Sequence, residues 1–339
     1  MATEIFERIQ IGLDEKRRNV TEFLEAASDA EKDTCLCDDQ RCAQDHLHVV
    51  EECLEKIEDN TLGICVVCRE YVDPVRLEID YTAHVCLDHY SDDERRRLES
   101  ELELSQVVQR ALLPQQVPMI QGVELAAFSR PAEIIGGDYF DFFKFRDGSH
   151  GLVIADVSGH GVSAGMLMSS LQTAIRTIAP DTDSPEEILE RINRFYIHNI
   201  NFTTFTTIFL ARFDPASMTL TYVNAGHNPP AVHRRGEESV DWLIRTAPAI
   251  GLSEHFYPRA ETVTFFRGDS LLLYTDGVTE VLNISMEQFG QDRLAELVLQ
   301  NTGSTAPDML QAIRRALGTF GNNQPLADDV TLVALRILD

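Results

Sequence analysis

Along the first sixty residues, apolar side chains recur every three or four positions among charges. Ile5, Ile9 and Leu13, followed by Val20, Phe23 and Leu24, trace one helical stripe. Leu47, Val50, Leu54 and Ile57 in HLHVVEECLEKIED trace a second. The polar stretch SDAEKDTCLCDDQRC between them reads as a connection, so the pattern predicts a helical hairpin. From Glu94, ERRRLESELELSQVVQRALLP carries Leu98, Leu102, Val108 and Leu112 along one side and stops before Pro114. This is a connecting helix, either a dimer seam or a helix packed on its own domain.

From Gln115 the pattern changes to short runs rich in β-branched and aromatic residues. VELAAF, YFDFFKF, GLVIADV, FTTIFLARF, LTYVNAG, TVTFF, SLLLYTDG and VTLVALRIL each read as a strand. The turn segment Asp214 to Ser217 joins two of them into a hairpin. Helices are fewer. One follows Gly161, one opens at SPEEILERINRFYIHNI, and two more lie within 290–318. In the second, Ser184 is the expected N-cap, Pro185 the first helical residue, and Glu187 the partner in a capping box. Hairpin strands with helices in separate blocks predict an α+β fold. The expected domains are residues 1–92, a connecting helix at 93–114, and a large domain at 115–339.

Composition narrows the function classes. Among 339 residues, 29 Lys and Arg face 55 Asp and Glu, a formal charge of −26. Such a charge disfavours direct nucleic-acid binding and docking on an anionic membrane. The N-terminus lacks a signal-peptide-like apolar core, and no run approaches the ~18 apolar residues of a membrane span. The expected location is the cytoplasm. There the seven cysteines, at 35, 37, 42, 53, 65, 68 and 86, stay reduced.

Cys65-x2-Cys68 and Cys86-x2-His89 are two close pairs of soft ligands separated by residues 69–85, the arrangement tetrahedral zinc requires. Four protein ligands leave no open position, so the metal is expected to be structural and to stabilise a small module. The acidic hairpin followed by IEDNTLGICVVCREYVDPVRLEIDYTAHVCLDH resembles the DksA/TraR-type zinc-finger family, with His89 standing where that family has Cys. The resemblance implies a zinc-finger fold. RNA polymerase binding through this module is the alternative function it raises, although the hairpin is short and its tip does not match the family's acidic motif. Cys35, Cys37, Cys42 and His46 form a looser cluster, expected to be free thiols on the hairpin.

The large domain places acids at the ends of apolar strands, several by glycine turns: Asp138 in EIIGGDYFDFF, Asp156 in GLVIADVSGHG, Asp276 in SLLLYTDGVTE, and Asp328, with Asp329 beside it, in ADDVTLVALR. Carboxylates brought together repel unless cations lie between them, and hard oxygen donors suit Mg²⁺ or Mn²⁺. In order, GGDYFD, DVSGHG, NAGHNPP, YTDGVTE and DDVTLVAL resemble the PPM-type serine/threonine phosphatases, specifically the SpoIIE/RsbU-like branch.

That resemblance implies an α/β/β/α sandwich with two Mn²⁺ or Mg²⁺ ions at one end. Asp156 would bridge the metals, the Val157 carbonyl would add a ligand, Asp276 and Asp328 would hold one ion, and Asp138 would join through a metal or its waters. A bridging water would attack phosphorus in line. The implied substrate is a phosphorylated regulatory protein, an anti-sigma-factor antagonist, with the zinc module answering to an upstream activator. His227 and Asn224 shape either the site or the sandwich edge. His160 is either a general acid or a turn residue, and Arg130 is a candidate to grip the substrate phosphate. GVSAG also matches the nucleophile elbow of serine hydrolases, but Ser163 lies seven residues beyond the strand-ending Asp156, inside the expected helix.

Overall fold

The computed structural model describes residues 37–73, 76–77, 81–159, 161–199, 205–322 and 324–338, with isolated positions 6, 9, 10, 13, 14, 17, 18 and 21 before them. The chain clusters into two units, Met1–Ser100 and Glu101–Asp339.

In the first unit, helix α1 spans Cys37–Glu58. It starts upstream of the periodic segment, so residues 37–42, expected in the polar connection, are helical. Ile9 and Leu13, both helical, pack with Val50 and Leu54 of α1, with Leu62 and Val72 of the following loop, and with Leu77, which is helical. The remainder of the first expected helix lies outside the described residues. Helix α2, Asp92–Leu112, opens on a capping box: Ser91 Oγ accepts from the Glu94 amide, and the Glu94 carboxylate accepts from the Ser91 amide at 2.9 Å.

The second unit is built on two five-stranded antiparallel sheets. One has the order β1 (Val123–Arg130), β10 (Val330–Ile337), β9 (Ser270–Tyr274), β6 (Ala231–His233), β7 (Val240–Trp242). The other has the order β2 (Tyr139–Lys144), β3 (His150–Val157), β4 (Thr206–Asp214), β5 (Thr219–Ala225), β8 (Glu261–Thr264). Alternation assigns each face a partner. In β3, Leu152 and Ile154 point into the core between the sheets, while Val153, Ala155 and Val157 face helices. In β10, Val333 and Leu335 point inward, while Leu332 and Ala334 face the opposite helical layer.

Those layers are α3 (Gly161–Ile178) with α4 (Pro185–Asn199), and α6 (Gly290–Gln300) with α7 (Ala306–Phe320). A single turn, α5 (Asp276–Thr279), follows β9. The result is the α/β/β/α sandwich expected from the sequence motifs. Two details differ. Strands β6 and β7 are three residues each, too short for an alternating pattern to reveal. At α4, Ser184 Oγ caps the Glu187 amide at 3.1 Å, but the Glu187 carboxylate takes the Thr182 hydroxyl and Arg191 instead of completing the box.

Candidate active site and metal centres

The antiparallel register brings the acids to one end of the sandwich. Tyr139 pairs with Ala155, which sets Asp138 and Asp156 side by side. Tyr274 pairs with Leu332, so Asp276, just after β9, lies near Asp328 and Asp329, just before β10. The two sheets join at this end: the Thr275 hydroxyl donates to Asp138 Oδ2 at 2.8 Å, and the Asp138 amide donates to Asp329 Oδ2 at 3.2 Å.

Crowding shows in the acidities. Burial, then the charges of Asp276, Asp328, Asp329 and Glu280, push Asp156 from 3.8 up to about 7. Asp138, only 6% exposed, is raised well above the usual carboxylate range by burial and by Asp156, against the hydrogen bonds of Thr331 and Thr275. Asp276 is raised by burial and by Asp328 and Glu280. These are hard oxygen donors whose ionised forms are destabilised until a cation arrives, which fits Mg²⁺ or Mn²⁺. Their oxygens do not gather within 4.8 Å as one group.

Asp329, noted in the sequence only as a neighbour of Asp328, has a separate task. Its Oδ1 accepts from the Ala132 amide and its Oδ2 from the Gly137 amide, both at 2.7 Å. It thereby holds the loop leading into Asp138, while Asp328 stays exposed. From the other side, Gln109 of α2, 8% exposed, clasps the same loop. Its Nε2 donates to the Gly136 carbonyl at 2.6 Å, and its Oε1 accepts from the Gly136 amide at 3.2 Å. Gly137 is required by close approach, since a Cβ there would lie 2.9 Å from the Val157 carbonyl and 3.2 Å from Ala164 Cβ. After Val157, Gly159 turns the chain at φ +103°, a conformation that side chains resist. No sequence pattern singles out Gln109; a buried Gln on an otherwise exposed helix is the one hint, and it needs the fold to be seen.

The remaining candidates separate. Asn224 is fully buried and donates to the Leu243 carbonyl at 3.1 Å, while its Oδ1 accepts from the His227 amide at 2.9 Å. His227 Nδ1 lies 3.0 Å from Thr207 Oγ1, and burial pushes its pKa down to about 3, so it is neutral. Both residues tie the sandwich edge together. Ser163 lies in the first turn of α3, away from the strand-to-helix corner a nucleophile elbow requires. Arg130 is exposed at the acid end of β1, opposite Val330. His160 lies outside the described residues.

In the first unit, the ligand atoms of Cys65, Cys68, Cys86 and His89 all lie within 4.8 Å of one another. Cys65 Sγ stands 3.6 Å from His89 Nδ1, and Cys68 Sγ stands 3.8 Å from Cys86 Sγ. Burial raises the Cys65 thiol, but the amides of Cys68, Cys86 and Val67 outweigh it and hold the pKa at about 5. Cys86 is pushed up to about 12 by burial and by its two cysteine neighbours. One ready thiolate beside a crowded thiol is a donor set that a soft cation relieves, and it fits Zn²⁺. Cys35 and the side chains of Cys37, Cys42 and His46 fall outside the described part of the chain.

A two-sheet sandwich flanked by helices, with clustered aspartates at one end, defines a serine/threonine phosphatase of the PP2C type. Residues 146–338 match the model of the SpoIIE family, Stage II sporulation protein E, and the chain belongs to that family. It is 29% identical over 242 residues to the phosphoserine phosphatase RsbU of Bacillus subtilis, covering 71% of each chain. The fold is similar to the SiaA-PP2C domain of Pseudomonas aeruginosa, with a TM-score of 0.64 and 22% identity over 71% of this chain and 98% of that one. It is also similar to the RsbU and RsbW domains of Rv1364c from Mycobacterium tuberculosis, with a TM-score of 0.56 and 29% identity. That match covers 67% of this chain and 64% of that one. Among the described residues, no helix is long and apolar enough to cross a membrane.

Proposed function

We propose that the protein removes phosphate from phosphoserine or phosphothreonine on a regulatory protein of the anti-sigma-factor-antagonist type. The observation that carries the metal-dependent chemistry is the convergence of Asp138, Asp156, Asp276 and Asp328 at one end of the sandwich, with three of them raised in pKa by burial and mutual repulsion. These four side chains and the Val157 carbonyl would hold two Mn²⁺ or Mg²⁺ ions. When bound, the ions supply an activated water and neutralise the phosphoryl oxygens. The protein's own groups keep the donors in place: Thr275 orients Asp138, Asp329 and Gln109 fix the loop between β1 and β2, and Arg130 at the rim grips the substrate phosphate. The named activity of RsbU supports a phosphoserine substrate, and the pairing of RsbU and RsbW domains in Rv1364c accords with action beside a regulatory partner.

Cys65, Cys68, Cys86 and His89 would hold one structural Zn²⁺, and the first unit would regulate the second through α2. Leu104, Val107 and Val108 of α2 are more than half exposed, a surface suited to pairing with a second copy, and Gln109 on the same helix grips the loop before Asp138. RNA polymerase binding by the zinc module is the second reading, resting on the Cys/His group alone.

The test of the phosphatase reading is hydrolysis of a phosphoserine peptide by the full chain with Mn²⁺. Turnover should vanish with EDTA and in Asp156→Asn. Full activity in Asp156→Asn combined with loss in Ser163→Ala would overturn it. A pull-down with the Asp156→Asn protein then identifies the phosphoprotein.

A further inference from the structure

Far from the acids, the other end of β10 carries a second polar constellation that the phosphatase chemistry does not use. Pairing aligns Glu124, Arg336, Ser270 and His233 across β1, β10, β9 and β6. All four stand on the face that packs against α6 and α7, at the margin of that helical layer. Six residues along β10 separate Arg336 from Val330, about 20 Å at the rise of a strand.

Here a cavity of about 340 Å³ opens, lined by His233, Arg235, Gly268, Thr302 and Arg336 among others. His233 is 2% exposed. Its Nε2 lies 3.0 Å from the Glu237 carbonyl, which can only accept, so Nε2 carries the hydrogen. Nδ1 is then left buried with no hydrogen-bond partner. Arg336 donates from Nη1 to the Ser304 carbonyl at 2.8 Å, while its buried Nε also lacks a partner. Arg235 closes one wall, lying so near Gly268 that a Cβ there would be 2.6 Å from its Cδ. Of the acids nearby, Glu124 is engaged with the Ala306 amide at 2.7 Å, and Glu237 is exposed at the rim.

Buried polar groups without partners are uncommon because each forfeits its hydration. On this cavity the unpartnered Nε–H of Arg336, with a second guanidinium beside it, calls for an acceptor, and the bare Nδ1 of His233 calls for a hydroxyl that donates. A lone water is too small, since the cavity falls within the size range of small-molecule sites. Arginine forks match the oxygens of a phosphoryl group, and a P–OH or sugar hydroxyl of such a molecule donates to the bare His233 Nδ1. We propose that this pocket binds a small molecule bearing a phosphoryl group, at a site separate from the catalytic acids.

Calorimetry on the full chain in EDTA tests this without involving the metal centre, and the Asp156→Asn protein provides a second background. The probes are inorganic phosphate and ribose 5-phosphate. Saturable binding of either is expected, with affinity falling about ten- to hundredfold in Arg336→Gln and in Arg235→Ala. Tighter binding of ribose 5-phosphate would support an organic phosphate as the occupant, and equal binding would support the free ion. Arg235 lies at the exposed rim, so Arg235→Ala keeps the proposal testable even if Arg336→Gln fails to fold. No binding of either probe, or binding unchanged in both variants, would overturn it. Because metal is absent throughout, failure here leaves the phosphatase reading untouched, and loss of turnover leaves this one untouched.

Discussion

Without metal, the acid end works against the fold, and replacing Asp156 should expose the effect. Its carboxyl is raised from 3.8 to about 7 by burial and by four neighbouring acids. A group whose folded pKa exceeds its unfolded pKa favours the fold while protonated. That contribution is fully present below about 4 and is lost as pH rises through 7. Each pKa unit is worth about 1.4 kcal/mol, so ionising Asp156 in the metal-free protein costs at most about 4 kcal/mol above pH 7. Solvent reaching this partly exposed carboxyl lowers the figure to about 2 kcal/mol. Asp156→Asn keeps the shape and removes the charge. At pH 8 in EDTA, the variant should therefore melt about 4–8 °C above the wild-type protein, given about 2–4 °C per kcal/mol for a unit of this size. At pH 5 the gap should shrink by more than half. Mn²⁺ should raise the wild-type midpoint at pH 8, much less at pH 5, and leave the variant unmoved. Differential scanning calorimetry at matched pH reads all three. If the variant melted with or below the wild type at pH 8 in EDTA, or gained as much from Mn²⁺, the electrostatic account of this site would be wrong.

Other substitutions probe the supports around the acids. Gln109→Ala leaves both Gly136 backbone groups unmatched, and each buried loss costs about 1–3 kcal/mol. A weaker Mn²⁺ affinity with an intact circular-dichroism spectrum is expected, and an unchanged Mn²⁺ titration would show that α2 does not position the loop. Arg130→Ala should lower kcat/KM for a phosphopeptide about tenfold or more while leaving Mn²⁺ affinity unchanged; steady-state kinetics with metal titration separate the two. Cys65→Ser should abolish a stoichiometric zinc content measured by mass spectrometry and lower the melting temperature of the first unit. Equal zinc in variant and wild type would refute the assignment of that thiolate.

Short-range chemistry made much of this protein legible in sequence. Alternation in GLVIADV separates Val153 from Leu152, and so assigns each face of β3. Acids at four strand ends, two of them, Asp138 and Asp276, directly beside glycine, mark the end of the sandwich where the candidate site lies. Two ligand pairs, Cys65 with Cys68 and Cys86 with His89, are bound by their spacing to meet once the loop folds back.

What remained hidden depends on contacts that local spacing cannot encode. Asp328 and Asp329 are adjacent and chemically identical, yet Asp329 turns inward to hold Ala132 and Gly137, nearly two hundred positions away, while Asp328 stays exposed. Glu187 looks like a capping-box acid until Thr182 and Arg191 compete for its carboxylate. Gln109, His233 and Arg336 carry no motif at all. The sequence by itself determined the element pattern and the chemical character of the site, because side-chain periodicity and donor type belong to the local chain. Only the tertiary structure decided which neighbour ligates, which clasps and which lines a cavity, because burial and partner are properties of the packed sheets.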